Sequence, residues 1–173
     1  MAAKEILLLG NPILRQRCSP VRNTGSKDVR TVIADLRDTL QDFRRRRKFG
    51  RGIAAPQIGA TQQIIYLDFE FSGALINPKI VQRTTKKFSL WDDCFSFPDI
   101  LVQVIRNYGI TVSFQDDSGK RRKLKAEGAL SELLQHEIDH INGILAIDRA
   151  IDAKHIILRS EYEKMSHQSP LML

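Results

Sequence analysis

At 173 residues, 42% hydrophobic and 27% charged, the chain has the length and composition of a single soluble globular domain, residues 1–173, with a core of its own. A net charge of +7 suits an acidic partner such as RNA, although a moderate excess spread over a surface is ordinarily solubility alone. No apolar run approaches the roughly 20 residues that span a bilayer. The apolar start at residues 6–9 is too short for a secretory core, and Cys18 and Cys94 make no disulfide framework. These features read as a cytoplasmic protein with neither a membrane nor a disulfide partner.

Residues 1–25 read as an extended lead-in with turns at Asn11-Pro12 and Ser19-Pro20. From 28 to 43, Val29, Val32, Ile33, Leu36, Leu40 and Phe43 recur at helical spacing, with Thr24 or Ser26 available as a cap. The cations at 44–48 read as a solvated helix end, since no aromatic interleaves them. The small residues at 50–59 form a loop that another backbone can approach closely. Strands are expected at 63–68, 74–77 and 79–88, broken at Pro78, and at 100–106 and 110–115. Asp117-Ser118-Gly119 turns the chain into a partner strand at 120–125, whose charges mark an edge.

A helix is expected over 127–141, stopped by Gly143, then an extended piece at 144–148, a weakly amphipathic helix at 152–165 and a frayed tail from Ser166. The order is that of an α+β domain. Antiparallel sheets pack around the central helix, with one N-terminal and one C-terminal helix.

The central helix carries Gln135-His136-Glu137-Ile138-Asp139-His140. Residues four apart share a helix face, so His136 and His140 can hold one metal ion, and Glu137 beside them can exchange protons with a water on it. A catalytic ion of this kind takes three protein ligands and keeps a position for water, so a third ligand is required. Downstream, Gly143 fits one protease continuation, but Ala146 stands where its histidine belongs. Glu161 and Glu163 have no supporting motif. Cys94, in the turn-like Leu90–Pro98 segment between strands, is the remaining candidate; alone it reads as a buried structural cysteine, and beside paired histidines as a thiolate ligand.

Gly50-x-Gly52-x-Ala54-Ala55-Pro56-Gln57, then Cys94-x-Ser96, then His136-Glu137-x-Asp139-His140 resemble, in order and separation, the three motifs of the peptide deformylases. The resemblance covers nearly the whole chain. It implies a hydrolase that removes the N-formyl group from N-formyl-methionyl nascent peptides, releasing formate. It implies Cys94, His136 and His140 as ligands of a divalent metal, typically Fe2+ with Zn2+ or Ni2+ as substitutes. Gln57 and the backbone N–H of Phe95 would stabilise the oxyanion, and Glu137 would carry the proton to the leaving amine. The Gly52-Ile53 backbone would pair with the substrate, and Asp139, acting through Arg106, would orient the helix or a histidine. A monomer working near the ribosomal exit tunnel fits the basic charge.

The second motif departs from the usual Glu-Gly-Cys-Leu-Ser, reading Asp92-Asp93-Cys94-Phe95-Ser96. Asp92 supports the metal site on an arm one methylene shorter than glutamate. Two departures bear on the substrate. Arg51 replaces an aliphatic residue, and Glu132 stands where an apolar residue usually lines the methionine pocket, with Leu133 and Ala129 keeping part of that wall apolar. Either the two charges pair outward at the rim, or they tune the pocket to another N-formyl amino acid or amide. A different class of reading is a basic ribosome- or RNA-binding module with a structural metal.

Overall fold

The computed structural model describes residues 3–168. The apolar spacing from Val29 to Phe43 becomes α1 (Lys27–Arg47), which buries Val29, Leu36, Leu40 and Phe43. The Ser26 side chain caps it by accepting the Val29 N–H, and Lys48 ends it in the left-handed conformation at φ 67°. The arginine run is the last turn of this helix, where cations face the negative end of its dipole.

Among the described residues eight strands follow: β1 (Gly52–Ala54), β2 (Ile64–Asp68), β3 (Ser72–Arg83), β4 (Lys87–Asp93), β5 (Ile100–Asn107), β6 (Gly109–Gln115), β7 (Arg121–Glu127) and β8 (Ile156–Leu158). They form a five-stranded sheet in the order β1-β2-β3-β6-β7 and a three-stranded sheet β4-β5-β8, with every pairing antiparallel. The helix α2 (Gly128–Ile141) packs against strands of both sheets. Residues 130–141 are all buried for that reason. Leu130, Leu133, Leu134 and Ile138 meet Ile65, Leu67 and Val112 on the inner face of the larger sheet. α1 covers Ile53, Ile64 and Ile76, and a third cluster packs Val102 and Val104 on Leu14, Cys94 and Leu145. Among the described residues no helix is long and apolar enough to cross a membrane.

Several local expectations are corrected. Pro78 does not break its strand. A bulge shifts the register between Ile76 and Lys79, Asn77 takes φ 52°, and β3 continues to Arg83. A bulge is where a strand tolerates a residue without an N–H. Residues 79–88 are therefore not one strand, and β4 starts at Lys87 beyond a turn at Thr84. Within the glycine-rich loop, Gly52–Ala54 pairs with β2 as the short edge strand β1. Residues 144–148 are extended only as far as Leu145. Asp148 accepts the Leu145 N–H at 2.8 Å and closes a 3-10 turn over Ala146–Arg149.

The helix expected over 152–165 splits. Asp152 caps a 3-10 turn, and Ile156 and Ile157 then pair with Val102 and Leu101 as β8. Only from Arg159 does α3 (Arg159–Gln168) begin. The tail expected to fray from Ser166 is helical to Gln168, and residues 169–173 lie outside the described residues.

Candidate active site and metal centre

Residues four apart on α2 bring His136 and His140 together, with ring centroids 4.9 Å apart and Nε2 atoms 3.2 Å apart. Cys94 arrives at the end of β4, its Sγ 3.3 Å from His140 Nε2. All three residues are buried, and their donor atoms lie within 4.8 Å of one another. The Ser96 N–H (3.4 Å) and Gln57 Nε2 (3.6 Å) both point at Sγ, which suits sulfur as an anionic ligand. Two imidazoles and a thiolate fit a divalent transition metal, and three protein donors at a cleft leave a coordination position for water.

Asp92 fixes His136: its Oδ1 lies 2.8 Å from Nδ1, leaving Nε2 to face the other donors. Arg106 on β5 reaches Asp92 Oδ2 at 3.0 Å and also holds Asp139, which Arg149 grips from the other side at 2.8 Å. Asp139 therefore meets arginines. Its link to His136 runs through Arg106 and Asp92. In the metal-free protein burial pulls both histidines down, but the Asp92 carboxylate overrides this at His136 and carries it well above its ordinary value. His140 stays well below its own, through burial and the nearby His136 charge. A metal held by His136 would have to displace the proton on its ring.

Glu137 is buried, and burial raises its carboxyl to about 7, with the neighbouring Asp92 and Glu132 adding to the rise and His136 opposing it. Its Oε2 and the Nδ1 of His140 have no hydrogen-bond partner among the described residues. Gln57 is set by the short 3-10 turn after β1. Its Oε1 accepts the Ala54 N–H at 2.9 Å, which turns Nε2 toward Cys94 and the Ser96 Oγ. Gly52 permits the close approach of β1 to α2, since a Cβ there would stand 2.8 Å from Glu137 Oε1 and 3.1 Å from Leu133. Phe95 stacks on Phe43 at 3.9 Å, so its side chain is anchored in the core beside α1. Asp93, in the place of a glycine, is extended within β4 and needs no left-handed conformation.

Gln57, Cys94, His136 and Glu137 open onto one cleft of about 560 Å³, which Arg51, Glu132 and Leu133 also line. Arg51 Nη2 meets Glu132 Oε2 at 2.7 Å, with the Glu132 side chain 4% exposed and that of Arg51 35%. The carboxylate is thus inside the wall and not at an outer rim. Ile53 lies in β1, fully buried against α1. Sequence reasoning missed Arg149, Phe49, Trp91, Tyr162 and the pairing of Arg159 with the motif residue Asp93, 2.7 Å apart. Arg159 turns to the cleft, with its guanidinium 4.2 Å from the Phe49 ring centre. Arg149, Phe49, Trp91, Tyr162 and Arg159 lie outside the three motifs, so no motif flags them.

A buried acid with a raised pKa, a soft nitrogen–sulfur donor set and a fixed amide at a cleft describe a metal-dependent amide hydrolase. Residues 3–155 match the family model for polypeptide deformylase. The chain is 38% identical over 154 residues to a peptide deformylase of Rhizobium meliloti (strain 1021), covering 86% of this chain and 85% of that one. It is 32% identical over 174 residues to a peptide deformylase of Brucella suis biovar 1, covering 97% and 96%. Among solved structures, peptide deformylase from Thermotoga maritima superposes with a TM-score of 0.81 at 31% identity, covering 88% of this chain and all of that one. The enzyme from Synechococcus elongatus in complex with actinonin gives 0.81 at 29% identity, covering 100% and 89%. The chain belongs to the polypeptide deformylase family.

Proposed function

We propose that the 173 residues form one deformylase domain that hydrolyses the formyl amide of N-formyl peptides, N-formyl-methionyl nascent chains being the substrate class that family membership brings, and releases formate. The observation that carries this is the convergence of Cys94, His136 and His140 on one another, with Cys94 and His136 lining one cleft beside Glu137 and Gln57. Cys94, His136 and His140 hold the metal. A divalent ion bound there would supply Lewis acidity.

Glu137, close to neutral in its titration, takes a proton from the attacking water and returns it to the departing amine. The Gln57 Nε2 and the Phe95 N–H donate to the oxygen that gains charge as the formyl carbon becomes tetrahedral. β1 is an edge strand of its sheet, and its Gly52-Ile53 backbone takes the substrate as an added strand. Asp92, Arg106 and Asp139 hold the ligands in place.

Ferrous iron as the native ion, with zinc or nickel able to replace it, is supported by the sulfur–nitrogen donor set. Action of a monomer near the ribosomal exit tunnel is in keeping with the +7 charge, which suits an acidic partner. The test is formate release from a formyl-methionyl peptide by anaerobically metal-loaded protein, beside Glu137→Ala with its metal content measured. Release by the native chain, lost in the variant at unchanged metal content, supports the proposal. Equal rates would refute the role of Glu137, and no formate from any formyl peptide would refute the activity.

A further inference from the structure

The cleft wall nearest His136 is ionic. Glu132 precedes His136 by one helical turn, and its carboxylate, Asp92 and the His136 ring nitrogen have ligand atoms within 4.8 Å of one another. Arg51 reaches it from the lead-in to β1, so a 2.7 Å pair joins the two elements that frame the cleft. Phe69 backs the guanidinium, its ring centre 5.2 Å from the arginine Cζ. In a formyl peptide the first side chain begins three bonds from the formyl carbon. With that carbon beside His136 and the backbone along β1, the first side chain lies against this pair.

We infer that the Arg51–Glu132 pair selects the first side chain of the substrate, favouring uncharged hydrogen-bonding groups, a primary carboxamide foremost, over unbranched apolar ones of the same length. This rests on the deformylase reading of the site and names its substrate preference. An apolar side chain covering the pair takes water from two charged groups and returns no hydrogen bond. A carboxamide offers an N–H2 to the carboxylate and a C=O to the guanidinium. Glu132 keeps lone pairs beyond the single Arg51 contact, and Arg51 has further N–H groups. A charged side chain must compete with one member of the pair for the other. Sites built to hydrogen-bond a substrate reject the analogue that cannot, far more strongly than apolar pockets sort by size.

The test compares formyl-Gln-Ala-Ser with formyl-norleucyl-Ala-Ser and formyl-Met-Ala-Ser on metal-loaded enzyme, by kcat/KM for formate release. The binding of the corresponding deformylated peptides is measured alongside by calorimetry. The expected result is at least a tenfold preference for the glutaminyl over the norleucyl peptide in kcat/KM, with the same order in binding. In the double variant Arg51→Ile/Glu132→Ile, which removes both charges together, that preference reverses. Glu132→Gln, isosteric and uncharged, reduces it. A native preference for the norleucyl or methionyl peptide overturns the inference, as does a preference unchanged in the double variant. If the double variant does not fold, the native ratio and the binding order still decide. Formate from none of the three peptides marks failure of the deformylase reading itself, whereas formate in the opposite order marks failure of this inference alone.

Discussion

Asp92 Oδ1 and His136 Nδ1 are 2.8 Å apart in a buried setting, and this contact decides which nitrogen of His136 faces Cys94 and His140. Replacing the carboxylate releases the ring and its tautomer. Asp92→Ala is expected to weaken metal binding by about 10–100-fold, as loss of such a support generally does. Competition with a chelator of known affinity measures it, and unchanged affinity would remove Asp92 from the site.

Arg106 neutralises Asp92 and Asp139 at once from a buried position. Removing it strands buried carboxylate charge, so Arg106→Ala should cost about 3–5 kcal/mol of stability. Arg149, half-exposed and holding only the Asp139 end, should matter less when replaced. Urea unfolding of the two variants checks the order, and a larger loss for Arg149→Ala would contradict it.

Gln57→Ala removes a donor whose direction is set by the Ala54 N–H. The expected loss is roughly 10²–10³ in kcat, about 2.7–4 kcal/mol of transition-state stabilisation, with KM little changed. A change confined to KM would show that the amide binds the substrate instead.

The Glu137 carboxyl rises from an ordinary 4.5 to about 7 on burial. Its folded pKa exceeds the unfolded one, so its contribution to metal-free stability is full below pH 4.5 and is lost as pH rises through about 7. The loss is about 3 kcal/mol. Glu137→Gln cannot ionise. Relative to the native metal-free protein it should therefore gain stability at pH 8 and not at pH 4. Equal differences at both pH values would contradict the buried titration.

The two cysteines should behave differently toward an alkylating reagent. Burial pushes the Cys18 thiol up to about 11, and it packs in the core against α2, so it should stay unmodified in the folded protein. Cys94 lines the cleft, so chelation of the metal should expose it to reagent and metal should protect it. Mass mapping of the modified site distinguishes the two. Labelling of Cys94 at equal rates with and without metal would argue against its being a ligand.

The departures from the sequence reading have physical causes. The helix at 127–141 was legible because its apolar residues and paired histidines follow a 3.6-residue period that survives burial on all sides. β8 was not, because Ile156 and Ile157 sit on a period that a helix also satisfies, and pairing with Val102 and Leu101 decided the matter. Pro78 misled because the bulge that accommodates it depends on the Asn77 amide, which bonds Val21 and Gln115, distant in sequence.

By itself the sequence determined the chemistry on offer: two histidines four apart with a glutamate between them, a cysteine, a glutamine after small residues, and two charges in an unusual place. These are local patterns, written in residue type and spacing. Which groups support which was decided only by the tertiary structure. Packing between two sheets sets Asp92 on His136, carries Asp139 to Arg106 and Arg149, and turns Arg159 to the cleft. It also buries Glu132 against Arg51, residues 81 positions apart. Such contacts join distant strands and helices, and their energies depend on burial, which no single stretch of sequence records.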